Sequence, residues 1–269
     1  MMAPGSTLRH WGRLIYTFVR LSTLNELQYR ANFFIRLLQA LLSLGTAIGG
    51  LAVVFSHTDE VAGWQVEELV ALLGIFFLVR GFIYTVIQPS LERFMQDIRK
   101  GTLDFTLTKP EDAQFLVSIR QVEIWSLLDV LMGLGVLIWA LLRLNERVGV
   151  GEILTFGLLL LAGLVIVYSF WLILATCAYW FVRVENILVI FQSMYEAGRW
   201  PVRIYPAGLQ MILTFLVPIA FAVTVPAEAL TGRLTVTSTL TALALAVALF
   251  VLSRWFWLYG IKHYSGASA

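Results

Sequence analysis

Residues 67–88 read EELVALLGIFFLVRGFIYTVIQ, and shortly after them residues 92–110 read ERFMQDIRKGTLDFTLTKP. The first stretch is long and apolar enough to cross a bilayer core of about 30 Å, which takes about 20 such residues in a helix. The second changes character at once. It opens with Glu92, Arg93, Asp97, Arg99 and Lys100, turns through Gly101-Thr102-Leu103-Asp104, and closes at Lys109-Pro110. A polar, turn-rich loop in a chain that is otherwise mostly apolar is where contact with another protein is expected.

The rest of the composition agrees with a membrane protein. Of 269 residues, 59% are hydrophobic and 13% charged, whereas soluble domains average about 45–50% and about 25%. A net charge of +2 makes no case for nucleic acid. The single cysteine, Cys177, cannot form an intrachain disulfide. His10, His57 and His263 are scattered and lack metal-ligand spacing.

Working outward from the quoted stretch, six apolar runs stand out, at about 33–56, 67–88, 122–142, 153–182, 207–227 and 235–259. Each is too long for a tilted barrel strand of about 9–11 residues. Backbone groups in lipid must bond within their own segment, so the runs predict helices and an all-α integral membrane fold. Residues 89–121 form the main polar loop. Fifteen of the nineteen lysines and arginines fall before or near the start of the first run, in loops 89–121 and 183–206, or at the chain end, against Arg143, Arg147 and Arg233 in the opposite loops. The positive-inside rule then predicts that both termini and loop 89–121 face the cytoplasm.

Residues 7–30 lead into the first span, which is too long for a cleavable signal. Leu8, Trp11, Ile15, Phe18 and Val19 share one helical face, with Arg9, Arg13 and Arg20 largely on another; such a helix lies in the membrane plane. Glu185–Tyr205, apolar but interrupted by Glu196, Arg199 and Arg203, reads as an interfacial helix on the cytoplasmic side. Pro218 breaks the fifth run, so that 218–231 is expected to leave the helix as a short external re-entrant element.

Catalytic motifs are missing. No lysine follows a glycine, so no phosphate-cradling G-x-x-x-x-G-K-[ST] loop exists. G-x-S-x-G and H-E-x-x-H are also absent. Glu67-Glu68 reads as a helix N-terminus favoured by the dipole. Two charges, Arg80 and Asp129, sit within membrane depth, where ionisable groups seek a partner or a wet cavity; a pair between the second and third spans is expected. Gly45 and Gly49 form a small-residue surface in span one that permits close helix approach.

The Gly101-Thr102-Leu103-Asp104 turn resembles the cytoplasmic loop of type-2 ABC-exporter permeases. The stretch Arg203-Ile204-Tyr205-Pro206-Ala207-Gly208-Leu209, with Val217-Pro218-Ile219-Ala220-Phe221 and Val225-Pro226-Ala227, resembles the six-span ABC-2 family transporter proteins. Asp104 stands where many relatives carry Glu, with the charge kept. The resemblance implies an amphipathic elbow helix, six spans and a coupling helix that docks on a separate ATPase. It implies a dimer with an identical or paralogous permease and two ATPase subunits, with ATP and Mg on that partner and no cofactor or catalytic site in this chain. Residues Arg93, Asp97, Arg99, Lys100, Gly101, Thr102, Leu103, Asp104 and Lys109 are the implied ATPase contact. Export of a hydrophobic or amphipathic substrate across a bacterial inner membrane is the role this implies. Two other classes fit a polytopic chain: a secondary transporter driven by an ion gradient, and a non-transporting immunity or scaffold protein.

Overall fold

The computed structural model describes residues 4–28, 30–144, 149–181 and 185–264. Helices α1 (Pro4–Leu27), α2 (Arg30–Phe55), α3 (Val66–Phe82), α4 (Gln88–Lys100), α5 (Asp104–Leu107), α6 (Ala113–Ser118), α7 (Leu127–Arg143), α8 (Val150–Thr176), α9 (Glu185–Tyr195), α10 (Ala207–Met211), α11 (Val225–Leu230) and α12 (Val236–Ile261) succeed one another along the chain. Among the described residues there is no strand, only one isolated bridge between Val61 and Trp64. The side chains of Leu8, Arg9, His10 and Arg30, together with Arg147 and Arg183, lie outside the described residues.

α3 is the hub. Every residue from Glu68 to Gly81 is buried, as an all-round apolar helix must be. α7 lies against it because two glycines leave no side chain in the seam. A Cβ on Gly74 would come within 2.9 Å of the Gly133 carbonyl oxygen, and one on Gly133 within 2.5 Å of the Leu78 nitrogen. Gly45 and Gly49, by contrast, have nothing within 4 Å of an added Cβ, so that surface of α2 is open in this chain.

α3 does not stop at the end of its apolar run. A π-helical turn at Ile83–Ile87 carries it into α4, giving one continuous element over Val66–Lys100 of 35 residues. At 1.5 Å per residue that is about 52 Å, against a core of about 30 Å, so α4 stands clear of the bilayer as a stalk.

Contacts order the remaining elements along this axis. α1 reaches the stalk end, where the Trp11 and Phe115 rings meet edge-on at 4.2 Å. The last turns of α12 are there too, with Trp257 packed on Phe94 of the stalk. Both described chain ends therefore lie at the α4 end of the bundle.

The region 185–230 differs from the sequence expectation. α9 ends inside the bundle: the Tyr195 hydroxyl donates to the Phe76 carbonyl at 3.1 Å and its ring stacks on Phe76, halfway along α3. The chain then runs on to Arg203, which shares a cavity with Glu228 and Thr235 near the start of α12, at the end opposite the stalk. Nor do residues 207–227 make one straight span. Ala207–Leu216 and Ala220–Leu230 form two limbs bent by 77°. Pro218 has no N–H for the turn below and its ring clashes with it. Gln210 on the first limb and Glu228 on the second line that same cavity, and the bend sits beside Phe170 and Phe191. Both limbs thus line the cavity near the start of α12, as a re-entrant pair would. Arg199 and Arg203 consequently leave the basic end, although the charge asymmetry between the two ends survives without them.

Candidate functional site

Two regions carry the polar chemistry: the folded loop on the stalk and a charged cluster inside the helices. At the stalk tip, Gly101 adopts φ +65°, a left-handed conformation that glycine takes without strain. The Gly101 N–H donates to the Ile98 carbonyl at 3.1 Å and Thr102 N–H to Asp97 at 2.9 Å, a Schellman closure that ends α4. Residues 103–118 then fold back as α5 and α6. Asp97 holds this fold: its carboxylate accepts from the Thr102 hydroxyl at 3.0 Å, from Arg93 Nε at 3.4 Å and from Arg120 Nη1. Arg120 also donates to the Thr106 hydroxyl at 3.1 Å.

The nine loop residues expected to form a contact surface therefore divide. Arg93, Arg99, Lys100 and Lys109 are exposed, Gly101, Thr102 and Asp104 are half-buried, and Asp97 and Leu103 are buried. Those last two cannot touch another protein in this conformation; they shape the loop that presents the others. Sequence reasoning missed Phe105, whose ring is 74% exposed at the tip of α5. The signal was available: an aromatic residue in a four-residue helix too short to hide it.

The loop is tied to the bundle. Asp112 accepts from Arg254 of α12 at 2.6 Å, and Ser118 bonds the Tyr168 hydroxyl of α8 at 2.7 Å. Partial burial pushes the Asp112 carboxyl up, but the Arg254 guanidinium and the Phe115 N–H outweigh it and hold the group below its ordinary value. On the other side, Ser22 and Glu26 of α1 accept the backbone N–H groups of Val122 and Trp125 at 3.2 and 3.4 Å.

Inside the bundle, the α3–α7 seam brings Arg80 and Asp129 together in a two-pronged pair, Nε to Oδ2 at 3.2 Å and Nη2 to Oδ1 at 2.9 Å. Both residues are more than nine-tenths buried. The expected pair is half of a larger cluster. Ser43 of α2 accepts from Arg80 at 2.8 Å and from Arg199 at 3.1 Å, and Glu196 pairs with Arg199 and approaches Arg80 at 4.0 Å. These groups line a cavity of about 270 Å³. It adjoins a second of about 400 Å³ through Arg36, Gln39 and Trp125, where Arg36 pairs with Glu123 at 2.6 Å. Glu196 and Arg199 were invisible as intramembrane charges because they sit in a stretch that reads as an interfacial helix. Among the described residues no group of histidine, cysteine, aspartate and glutamate could hold a metal ion.

No curated protein matches the chain. A family model described as ABC-2 family transporter protein matches residues 41–268, from α2 through the stalk, the loop and the bent pair to the chain end. The chain is thus a multi-pass membrane permease and belongs to the ABC-2 family of transporter proteins.

Proposed function

We propose that this chain is the membrane half of an ATP-driven exporter, worked by a separate ATPase subunit that docks on the stalk loop from the cytoplasm. The single observation that carries this reading is the stalk tip. A rigid helix leaves the bilayer and ends in a capped turn, and it displays Phe105 among exposed Arg93, Arg99, Lys100 and Lys109. An exposed aromatic on a loop that also exposes arginines has the composition of a protein-binding patch. No nucleotide-binding loop exists in the sequence, so if ATP drives transport, its energy must reach the permease through a contact with another polypeptide. A ligand shifts a conformational equilibrium only through unequal affinity for the two states. ATP bound to the partner therefore acts here only if the partner's closure pushes on this loop.

Two ATPase subunits and a second permease, identical or paralogous, complete the assembly, with both termini in the cytoplasm and the complex in a bacterial inner membrane. The cargo is hydrophobic or amphipathic. The test is affinity purification of the tagged chain from native membranes, followed by ATPase assay of wild type and Gly101→Pro. Co-purification of an ATP-binding subunit that the variant loses supports the proposal. A chain that purifies alone and supports no hydrolysis overturns it and favours an ion-driven carrier using the buried charges.

A further inference from the structure

We infer that the groove between α2, α3 and α7 binds one amphipathic molecule, with an acceptor-rich anionic head such as a phosphate against Arg36, Arg199 and Ser126 and its apolar chain between Ile48, Val70 and Trp139. The argument begins with hydrogen-bond balance. In the two joined polar cavities Asp129, Glu196 and Glu123 each already accept from an arginine. The lining also carries Glu26, Asn32 and Gln39, but its buried polar atoms without a partner are two N–H donors and a hydroxyl. Arg199 Nε, Trp125 Nε1 and Ser126 Oγ are buried without a partner among the described residues, and Ser126 is 4% exposed. A buried donor left unsatisfied costs about 1–3 kcal/mol, so this site favours a ligand that brings acceptors.

Burial, with Glu123 beside it, pushes the Glu26 carboxyl up from its usual range, against the opposing hydrogen bond from Trp125.

The second observation lies further along the groove. Nine residues up α2 from Ser43, about 13 Å of helix, the same three helices enclose a slot of about 410 Å³ lined by Ile48, Leu51, Ala52, Val70, Val136 and Trp139. Its lining is apolar throughout, while the cavity below is charged. Polar and apolar compartments in line on one groove fit one molecule with a head and a tail, rather than a free anion or a plain hydrocarbon.

The measurement is equilibrium binding of radiolabelled dodecyl phosphate to the full chain purified in a neutral maltoside detergent. Inorganic phosphate and dodecyltrimethylammonium are the competitors. Dodecyl phosphate should bind saturably, with inorganic phosphate weaker by about a hundredfold or more for want of the buried chain. Arg199→Gln should weaken it about tenfold through the lost charge-assisted bonds. Ala52→Trp, which fills the slot, should weaken it as much while sparing the head site. Elution as a single sharp species checks folding, and if Arg199→Gln fails that check, Ala52→Trp carries the test. Equal binding of the ammonium compound, or full affinity in both variants, overturns the inference.

Nanodiscs containing phosphatidylglycerol assign the source. Displacement of the probe identifies a bilayer lipid headgroup, and its retention identifies a separate cargo; either result keeps the site. Naming this molecule as substrate rests on the permease reading, but its binding needs no ATPase. A chain that binds the probe yet recruits no ATPase therefore sinks that reading and leaves the site standing.

Discussion

At the scale of single residues, the buried cluster makes the sharpest demands. Arg80→Ala or Asp129→Ala leaves an uncompensated charge inside the helices, and breaking a buried pair this way costs about 3–5 kcal/mol. The double apolar replacement Arg80→Met/Asp129→Leu should recover much of that loss, as read by thermal unfolding in detergent. Single variants as stable as wild type would show that the pair is hydrated or unimportant. Gly133→Val should separate α3 from α7, because its side chain meets the Leu78 backbone; overpacking of this kind costs about 1–3 kcal/mol. The loop contributes a pH effect of its own. Asp112 is held below its ordinary value of 3.8, so its link to Arg254 is fully present above that pH. The link fades as pH falls through the lower folded value. Arg254→Gln should remove this acid dependence, checked by unfolding profiles from neutral pH downward. Arg80 and Asp129 were legible because a charge in an apolar run is conspicuous. The glycines that bring them together were not. Gly74 and Gly133 lie on different spans, whereas Gly45 and Gly49 show a regular spacing, yet an added Cβ at either meets nothing within 4 Å among the described residues.

At the scale of elements, the stalk and its loop are the parts to perturb. Gly101→Pro cannot adopt the positive φ and removes the N–H bonded to Ile98, an incompatibility of about 3 kcal/mol. It should unfasten α4 from α5 without touching the bundle. Phe105→Ser should change stability by no more than about 0.5 kcal/mol, since surface substitutions rarely do more, yet reduce recovery of the ATPase in pull-downs severalfold. Unchanged recovery would remove Phe105 from the proposed contact. The sequence made α2, α3, α7, α8 and α12 readable, because each is one apolar run. It placed 185–205 at the surface for a physical reason. Glu196 and Arg199, in the turn after α9, pair with each other inside the bundle rather than facing water. Hydropathy also sums the two limbs of 207–230 into one span, since apolar composition carries no record of direction.

For the molecule as a whole, the arrangement of the ends is testable. α1 and the last turns of α12 both lie at the stalk end, so fluorescent-protein fusions at either terminus should report the same side of the membrane, the cytoplasmic one on the proposed reading. Fluorescence from one fusion but not the other would mean an odd number of crossings, with the bent pair traversing the membrane after all. Family and fold class were legible at this scale from the loop, the proline-interrupted stretch 203–227 and the run lengths. The polar groove was not, because its walls come from residues as far apart as Arg36 and Arg199, and only packing brings them together.

The π-helical turn at Ile83–Ile87 has a mechanical consequence. It lies where the buried helix becomes the stalk, and a widened turn is a natural pivot. From there to Lys100 the stalk is a lever arm of about 20 Å, so a push of about 5 Å at its tip would swing it by about 15°. The Thr85 carbonyl within the pivot accepts the Glu123 N–H at 2.9 Å, and Glu123 in turn holds Arg36. Torque applied at the tip would thus be geared directly onto the arginine at the mouth of the groove, turning a shove outside the membrane into a tug on whatever lies bound within it.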